Sequence, residues 1–537
     1  MNLISFLLKT SRTTIAVVIF TGTISGSSSV FLIALINDAV NSNGAVSSLQ
    51  IWTFIGLLVL SFVANFTTQT LLAKMAETAI YQLRLRLSMK ILSCPLRHLE
   101  ELGSNRLLAT LTHDTSSIGM GVSSLPFFLI NITVIICCLI YLIWLSRLVF
   151  LVTVVLFALG IALVQFLFWT IVRFDKLARE EEDRLFKDFR AIIDGIKELK
   201  LHRSRHNAFL SEHLQTTAVS LRNYRVAASK FFALATGYGE FQQFILLAVV
   251  VFALPHIFLV KSQLFSGYIL TLTYLTRAVQ MVVQNLSIFS QANVALQKID
   301  QLGLLLSEQT ENSVLLKFPS ESPSYQIDFI QVTHSYHGKG KQNNFELGPI
   351  DLRINSGELI FIVGGNGSGK STLAKLITGL YIPEKGKILL NGQPITNQNI
   401  EAYRQLFTTI FADFYLFDRI LGIDLNNLDD QAFEYLQKLE LNHKVQVCEG
   451  IFSTIDLSQG QRKRLALLIA LLEDRPIHLF DEWASDQDPY FRDIFYKQIL
   501  IELKTMGKIV LVISHDDRYF HLADRIVKLD YGQVVTN

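Results

Sequence analysis

A chain of 537 residues is too long for a single hydrophobic core, so two or more domains are expected. Half of its residues are hydrophobic and only 18% are charged, which is apolar for a soluble protein, and a net charge of +2 points to no polyanionic partner. There is no basic tract or nucleic-acid motif, and Cys94, Cys137, Cys138 and Cys448 form no C-x-x-C pair, so neither a nucleic acid, a disulfide framework nor a zinc site is indicated.

The chain divides at about residue 305, with long apolar segments before it and an α/β pattern after it. The first apolar segment, 13–36, follows Lys9 and Arg12. A signal peptide is the competing reading, but the stretch outlasts a usual signal core and has no convincing cleavage site, so a membrane span is expected. Further spans are expected at 49–73, 125–145, 149–172, 241–260 and 264–289, each near or above the roughly 20 residues that cross the hydrocarbon. The expected domains are a six-helix membrane region at 1–305, a linker at 306–324 that carries Pro319 and Pro323, and an α/β domain at 325–537.

Lysine and arginine set the orientation. The links 74–124 and 173–230 are long and rich in both, whereas the other links carry none or one, such as Arg147 and Lys261. The positive-inside bias puts both termini and both long links in the cytoplasm. The long links are dense in helix formers with opposite charges four residues apart, so they read as helical hairpins. Their tips, near 102–111 and 194–205, are expected to touch the soluble domain.

Arg277 lies about 13 residues into the sixth span, roughly 20 Å from its outer end at 1.5 Å per residue. A charge at that depth requires a cavity or a partner. Gln280 and Gln284 follow at i+3 and i+7 on the same helix face, a polar stripe suited to a substrate path. The alternative is a structural pairing of Arg277, for instance with Glu240.

In the soluble domain, the apolar run Leu359-Ile360-Phe361-Ile362-Val363 leads into Gly364-Gly365-Asn366-Gly367-Ser368-Gly369-Lys370-Ser371-Thr372. This is the G-x-x-x-x-G-K-[ST] phosphate loop in its required context of strand, turn and helix. Backbone N–H groups and the helix N-terminus would cradle a phosphate chain. Lys370 would reach the β- and γ-phosphates of ATP, and the Ser371 hydroxyl would ligate Mg2+.

Leu457-Ser458-Gln459-Gly460-Gln461 comes next, then Ile477-His478-Leu479-Phe480-Asp481-Glu482, Ser485-Asp486-Gln487-Asp488 and, after an apolar strand, His515. In this order and spacing the motifs resemble the nucleotide-binding domain of ABC transporters. With six spans before it, the whole chain resembles an ABC half-exporter of the type IV fold.

The resemblance implies a role for each matching residue. Tyr336 would stack on adenine, Asp481 would hold Mg2+, and Glu482 would polarise the attacking water. His515 would contact the γ-phosphate. Ser458, Gly460 and Gln461 would complete the ATP site of the other subunit, which implies a homodimer, with Asp488 at its interface. One departure is present: where the family carries a glutamine, this chain has Ala412, followed by Asp413.

The segments 411–419, 457–466, 480–489 and 195–201 resemble those of bacterial cyclic-peptide and siderophore-peptide exporters. The expected function is therefore ATP-driven export of a peptide-like small molecule across the bacterial cytoplasmic membrane. Because the sequence begins almost at the first span, no leader-cleaving peptidase is expected ahead of it. A lipid or lipid-linked glycan flippase would use the same ATPase, and an ATP-gated channel is the third class; Glu482 argues against the channel.

Overall fold

The computed structural model describes residues 12–41, 46–253, 265–307, 324–337, 344–423 and 427–535. Most of the expected linker and the link containing Lys261 lie outside them. Two compact units emerge: residues 1–88 with 108–303, and residues 89–107 with 304–537.

The first unit is helical. Its main elements are α1 (Arg12–Asn41) and α2 (Ser48–Leu92), whose last residues pass into the second unit, where α3 (Leu96–Leu102) also lies. Then follow α4 (Thr115–Leu145), α5 (Arg147–Asp194), α6 (Ile196–Leu201), α7 (Gln215–Ala248) and α8 (Phe265–Ser307). Among the described residues, five stretches are long and apolar enough to cross a membrane: Thr13–Asn41, Ser48–Leu92, Arg106–Leu145, Arg147–Asp194 and Arg203–Phe252. The sixth expected span falls on α8, a 43-residue helix that is not among the five.

Several of these helices far outlast the hydrocarbon. The 45 residues of α2 extend roughly 68 Å at 1.5 Å per residue, against about 30 Å of bilayer core. The long links are thus continuations of the spans, as their composition predicts.

Two apolar clusters hold this unit. Val18, Leu72, Ala76, Ile118, Val122 and Leu296 pack in one, and Val134, Cys138, Leu142, Val149, Leu246 and Leu272 in the other. Large side chains such as Phe20, Trp52, Phe66, Trp144, Phe166 and Trp169 remain exposed, as suits a surface solvated by lipid.

The second unit is α/β. Its strands are β1 (Gln326–His337), β2 (Asn344–Asn355), β3 (Leu359–Gly364), β4 (Lys385–Leu390), β5 (Gln393–Pro394), β6 (Phe407–Ile410), β7 (Val447–Cys448), β8 (Ile451–Phe452), β9 (Ile477–Asp481), β10 (Ile509–Ile513), β11 (Arg525–Asp530) and β12 (Gln533–Val535). They form a six-stranded sheet in the order β12-β11-β3-β10-β9-β6, a four-stranded antiparallel sheet β2-β1-β4-β5, and the β7-β8 pair.

The central strands β3, β9 and β10 run parallel, with both faces buried by helices and the second sheet. Strand β10 and most of β3 read as apolar runs, while β9 is interrupted by His478 and ends in Asp481. Their side chains alternate between two cores. Leu359, Phe361, Phe480, Val510 and Val512 face one, and Ile360, Ile362, Leu479, Leu511 and Ile513 the other.

The short helix α3 belongs to this unit. Pro95 opens it and Gly103, at φ +80°, closes it. Its Arg97 pairs with Glu384 at 2.7 Å and donates to the Ser335 carbonyl at 3.1 Å. Its Glu100 pairs with Lys375 at 2.8 Å and accepts from the Tyr381 hydroxyl. The Tyr381 ring stacks on buried His334, with centroids 4.8 Å apart. The Arg97 hydrogen bond draws the Glu384 carboxyl below its ordinary range, while burial lowers the His334 imidazole.

These contacts lie on the N-terminal side of the expected tip at 102–111. Pro95 and Gly103 delimit α3, and residues 108–303 belong to the first unit. At the second tip, α6 is a helix of the first unit, with Ile196 and Leu201 exposed.

Candidate active site

The C-terminal ends of β3, β9 and β10 converge, the position at which open α/β sheets bind ligands. Strand β3 runs into the phosphate loop, and α9 (Lys370–Ile377) begins at its lysine. Gly369 sits at φ +104°, and a Cβ there would lie 2.7 Å from Leu347 Cδ1, so only glycine brings the loop onto the helix. Gly365, Asn366 and Gly367 are exposed at the rim. Thr372 is buried in the first turn of α9.

Lys370 is buried, and its Nζ donates to the carbonyls of Gly364 and Gly365 at 3.0 Å each. Ser368 Oγ is buried without a hydrogen-bond partner among the described residues, a donor available inside the cradle. The loop therefore fits a phosphate chain.

Ser371 Oγ donates to Asp481 Oδ2 at 3.2 Å, which brings together the two hard oxygen ligands that suit Mg2+. Burial raises the Asp481 carboxyl above its usual range, while the Ser371 hydroxyl and the Ala412 backbone N–H lower it. Where the family has a glutamine side chain, this chain thus presents a main-chain contact to Asp481. The neighbouring Asp413 is exposed.

Glu482 follows β9 in the left-handed conformation, at φ +50° and ψ +35°. Its N–H donates to the Ile513 carbonyl at 3.0 Å, and its Oε1 lies 3.2 Å from His515 Nε2. Glu482 and His515, 33 positions apart in the chain, are thereby brought side by side.

The remaining expected residues lie elsewhere. Ser458 caps α10 (Gln459–Glu473) in a capping box: its Oγ accepts from the Gln461 N–H at 3.4 Å, and the Gln461 side chain accepts from the Ser458 N–H at 3.3 Å. Among the described residues, no hydrogen bond joins Ser458, Gly460 or Gln461 to the phosphate loop. Asp488 caps α11 (Pro489–Ile494) and pairs with Arg464 at 2.8 Å. Tyr336 lies on β1 with its backbone paired to Phe345, and its side chain is outside the described set.

In the first unit, Arg277 and Gln284 are exposed and Gln280 half-buried. Arg277 makes no ion pair among the described residues, with Glu240 or any other. Gln280 Nε2 would lie 3.2 Å from a Cβ placed on Gly239 of α7.

Sequence reasoning missed Lys463, Arg464, Trp483 and Arg492. The Arg492 guanidinium donates to the carbonyls of Ala484, Ser485 and Gln487 at 2.9–3.1 Å, pinning the segment after the base. Nothing in the sequence flagged it, because its hydrogen-bond partners are main-chain atoms and its ionic partner Asp516, at 4.0 Å, lies 24 residues on.

A phosphate loop, a Ser–Asp pair and a Glu–His couple at the ends of parallel strands fit a nucleotide hydrolase, here on a chain that also carries helices long and apolar enough to cross a membrane. Residues 347–485 match the family described as ABC transporter, and residues 13–283 the family described as ABC transporter transmembrane region. The chain belongs to the ABC transporters. It is a half-exporter, with membrane region and ATPase in one polypeptide driven by ATP.

Among its relatives is the ATP-binding protein SyrD of Pseudomonas syringae pv. syringae, 35% identical over 97% of this chain and 93% of that protein. An ATP-dependent lipid A-core flippase of Ralstonia nicotianae is 24% identical over 90% of this chain and 82% of that one. A solved bacterial Atm1-family ABC exporter with ATP bound shares the fold at a TM-score of 0.73 and 16% identity, over 99% of this chain and 95% of that chain.

Proposed function

We propose that the chain works as a homodimer that exports a peptide-like small molecule, a cyclic peptide or peptide siderophore, across the bacterial cytoplasmic membrane. The observation that carries the ATP-driven part is the Ser371–Asp481 and Glu482–His515 assembly at the mouth of the phosphate loop. The peptide cargo rests on the segments 411–419, 457–466, 480–489 and 195–201. A lipid cargo is the second reading, favoured by the flippase relative.

In this account residues 1–305 are the membrane domain, 306–324 the linker and 325–537 the ATPase, with both termini in the cytoplasm. ATP lies between the phosphate loop of one subunit and Ser458, Gly460 and Gln461 of its partner, with Tyr336 against adenine. Ser371 and Asp481 would hold Mg2+, which would supply charge neutralisation for the phosphates. Glu482 takes the proton of the attacking water while His515, with its Nε2 3.2 Å from Glu482 Oε1, holds the γ-phosphate side. Closure of the dimer moves the spans through the docked helix α3, and Arg277, Gln280 and Gln284 line the cargo path.

The test is ATP-dependent uptake of labelled cyclic peptides into inside-out proteoliposomes that hold the full-length protein, with Glu482→Gln as the control. Uptake by the wild type alone supports the account. Flipping of fluorescent lipid without peptide uptake would transfer the chain to the second reading.

A further inference from the structure

Lys463 lies on α10, five residues after the serine that opens the helix, and is 2% exposed. A buried ammonium needs an acceptor for every N–H. Lys463 Nζ has three: the Glu482 carbonyl at 2.7 Å, Ser485 Oγ at 2.9 Å and Asp486 Oδ2 at 2.7 Å. All three belong to the turn that carries the catalytic base.

That turn is strained at one point. Glu482 is a non-glycine residue in the left-handed region, a conformation that persists only where surrounding structure enforces it. Four hydrogen bonds enforce it. Its N–H donates to the Ile513 carbonyl at 3.0 Å, and its carbonyl accepts from Lys463 Nζ at 2.7 Å, from Ser485 Oγ at 2.8 Å and from the Ser485 N–H at 3.3 Å. Lys463 is the shortest of these three and the one that reaches in from another helix.

The turn is also clamped to α10 from other directions. Trp483 is buried, and its Nε1 donates to the Lys463 carbonyl at 2.7 Å. Gln487 Nε2 donates to the Gly460 carbonyl at 2.9 Å, and Arg464 Nε donates to Gln487 Oε1 at 2.9 Å. A Cβ on Gly460 would lie 2.6 Å from the Asp486 carbonyl oxygen, so this glycine is what lets the two segments meet.

We infer that Lys463 is a positioning residue for ATP hydrolysis, fixing the left-handed Glu482 and locking the base to the helix headed by Ser458 within one chain. It touches neither nucleotide nor attacking water and acts through the main chain of Glu482. The inference rests on the ATPase alone and is independent of the cargo.

Steady-state ATPase kinetics of the full-length protein in nanodiscs test it. Lys463→Met removes the ammonium and keeps much of its volume, and the Asp486 carboxylate it leaves behind is 44% exposed, so water can solvate it in place of the lost partner. Its kcat should fall about 10- to 100-fold, the usual scale for a displaced catalytic group, with KM for ATP within about twofold of the wild type. Lys463→Gln, which retains an amide donor for the Glu482 carbonyl, should recover part of the rate and makes the same comparison where the methionine variant fails to accumulate.

The decisive arm is the double variant. If Lys463 acts through Glu482, adding Lys463→Met to Glu482→Gln should leave the residual rate unchanged. An undiminished kcat in the single variants would overturn the inference. So would a loss that multiplies in the double variant, or a joint loss of kcat, ATP affinity and thermal midpoint.

Discussion

The two units satisfy their polar groups in opposite ways. In the membrane unit, hydroxyls turn back on their own helix: Thr68 donates to the Ala64 carbonyl at 2.7 Å, Thr271 to Gly267 at 2.6 Å and Thr276 to Leu272 at 2.9 Å. Links between helices among the described residues are mostly single contacts, such as Gln242 to the Leu156 carbonyl, Thr68 with Thr21 and Ser266 to Asn37. In the ATPase unit, side chains reach across the fold, as Ser371 does to Asp481, Lys463 to Glu482 and Arg97 to Glu384. Lipid offers no competing donors, so a spanning helix must satisfy itself before it can slide or tilt. Water competes for every donor, so a catalytic turn in the ATPase must be pinned from several sides. The contrast predicts that single substitutions abolish function in the ATPase unit and retune it in the membrane unit.

The largest effect should come from the base. Glu482→Gln should cut ATP turnover by about 100-fold or more while ATP is still bound, because an amide cannot accept the water's proton. Lys370→Ala should lose nucleotide affinity as well, and equilibrium binding of a fluorescent ATP analogue separates the two. Near-normal turnover in Glu482→Gln would break the comparison at its strongest point.

In the membrane unit, Arg277→Ala should abolish substrate stimulation of the ATPase and lower export. Stimulation retained at the wild-type level would move the cargo path elsewhere, and a parallel loss of folding would make Arg277 structural.

A smaller effect is expected where α3 docks. Arg97→Ala removes the pairing with Glu384, and transport per ATP hydrolysed should fall about five- to tenfold, the lower range of coupling energies between sites. An unchanged ratio of transport to hydrolysis would remove α3 from the coupling path.

The smallest effect is on acid stability. Burial pushes His478 on β9 from 6.5 down to about 4, so the folded protein keeps it neutral while the unfolded chain takes up a proton below pH 6.5. The unfolded state then binds more protons between these values. Stability should therefore fall as pH drops through that window, by about 3 kcal/mol at most from this group. His478→Leu should flatten the dependence of the ATPase unfolding midpoint on pH between 6.5 and 4; an unaltered slope would assign the acid lability to other groups.

Local signals made much of this legible. The phosphate loop is a continuous run of residues, and apolar strands before Gly364 and Asp481 placed both at strand ends. The capping box at Ser458 follows the S-x-x-Q pattern. Span positions followed from apolar runs, but span and helix ends differ, because α2 and α5 continue into water on charged helix formers.

What the sequence hid were pairings at long separation and those made to the main chain. Arg97 and Glu384 lie 287 residues apart, and each alone reads as a solvated charge. Lys463 reads as one more cation of the signature helix, since its chief partner is a carbonyl that every residue owns. Ala412 reads as a lost ligand, whereas the structure brings its backbone N–H to Asp481.

The central claim, an ATPase of this design coupled to peptide export, meets its most direct test in substrate-stimulated hydrolysis. The purified full-length protein in nanodiscs would be assayed with a panel of cyclic peptides and peptide siderophores beside lipid A-type lipids, in the wild type and in Arg277→Ala. The account predicts saturable stimulation by at least one peptide, none by the lipids, and loss of the peptide response in Arg277→Ala. Stimulation by lipids alone would contradict it.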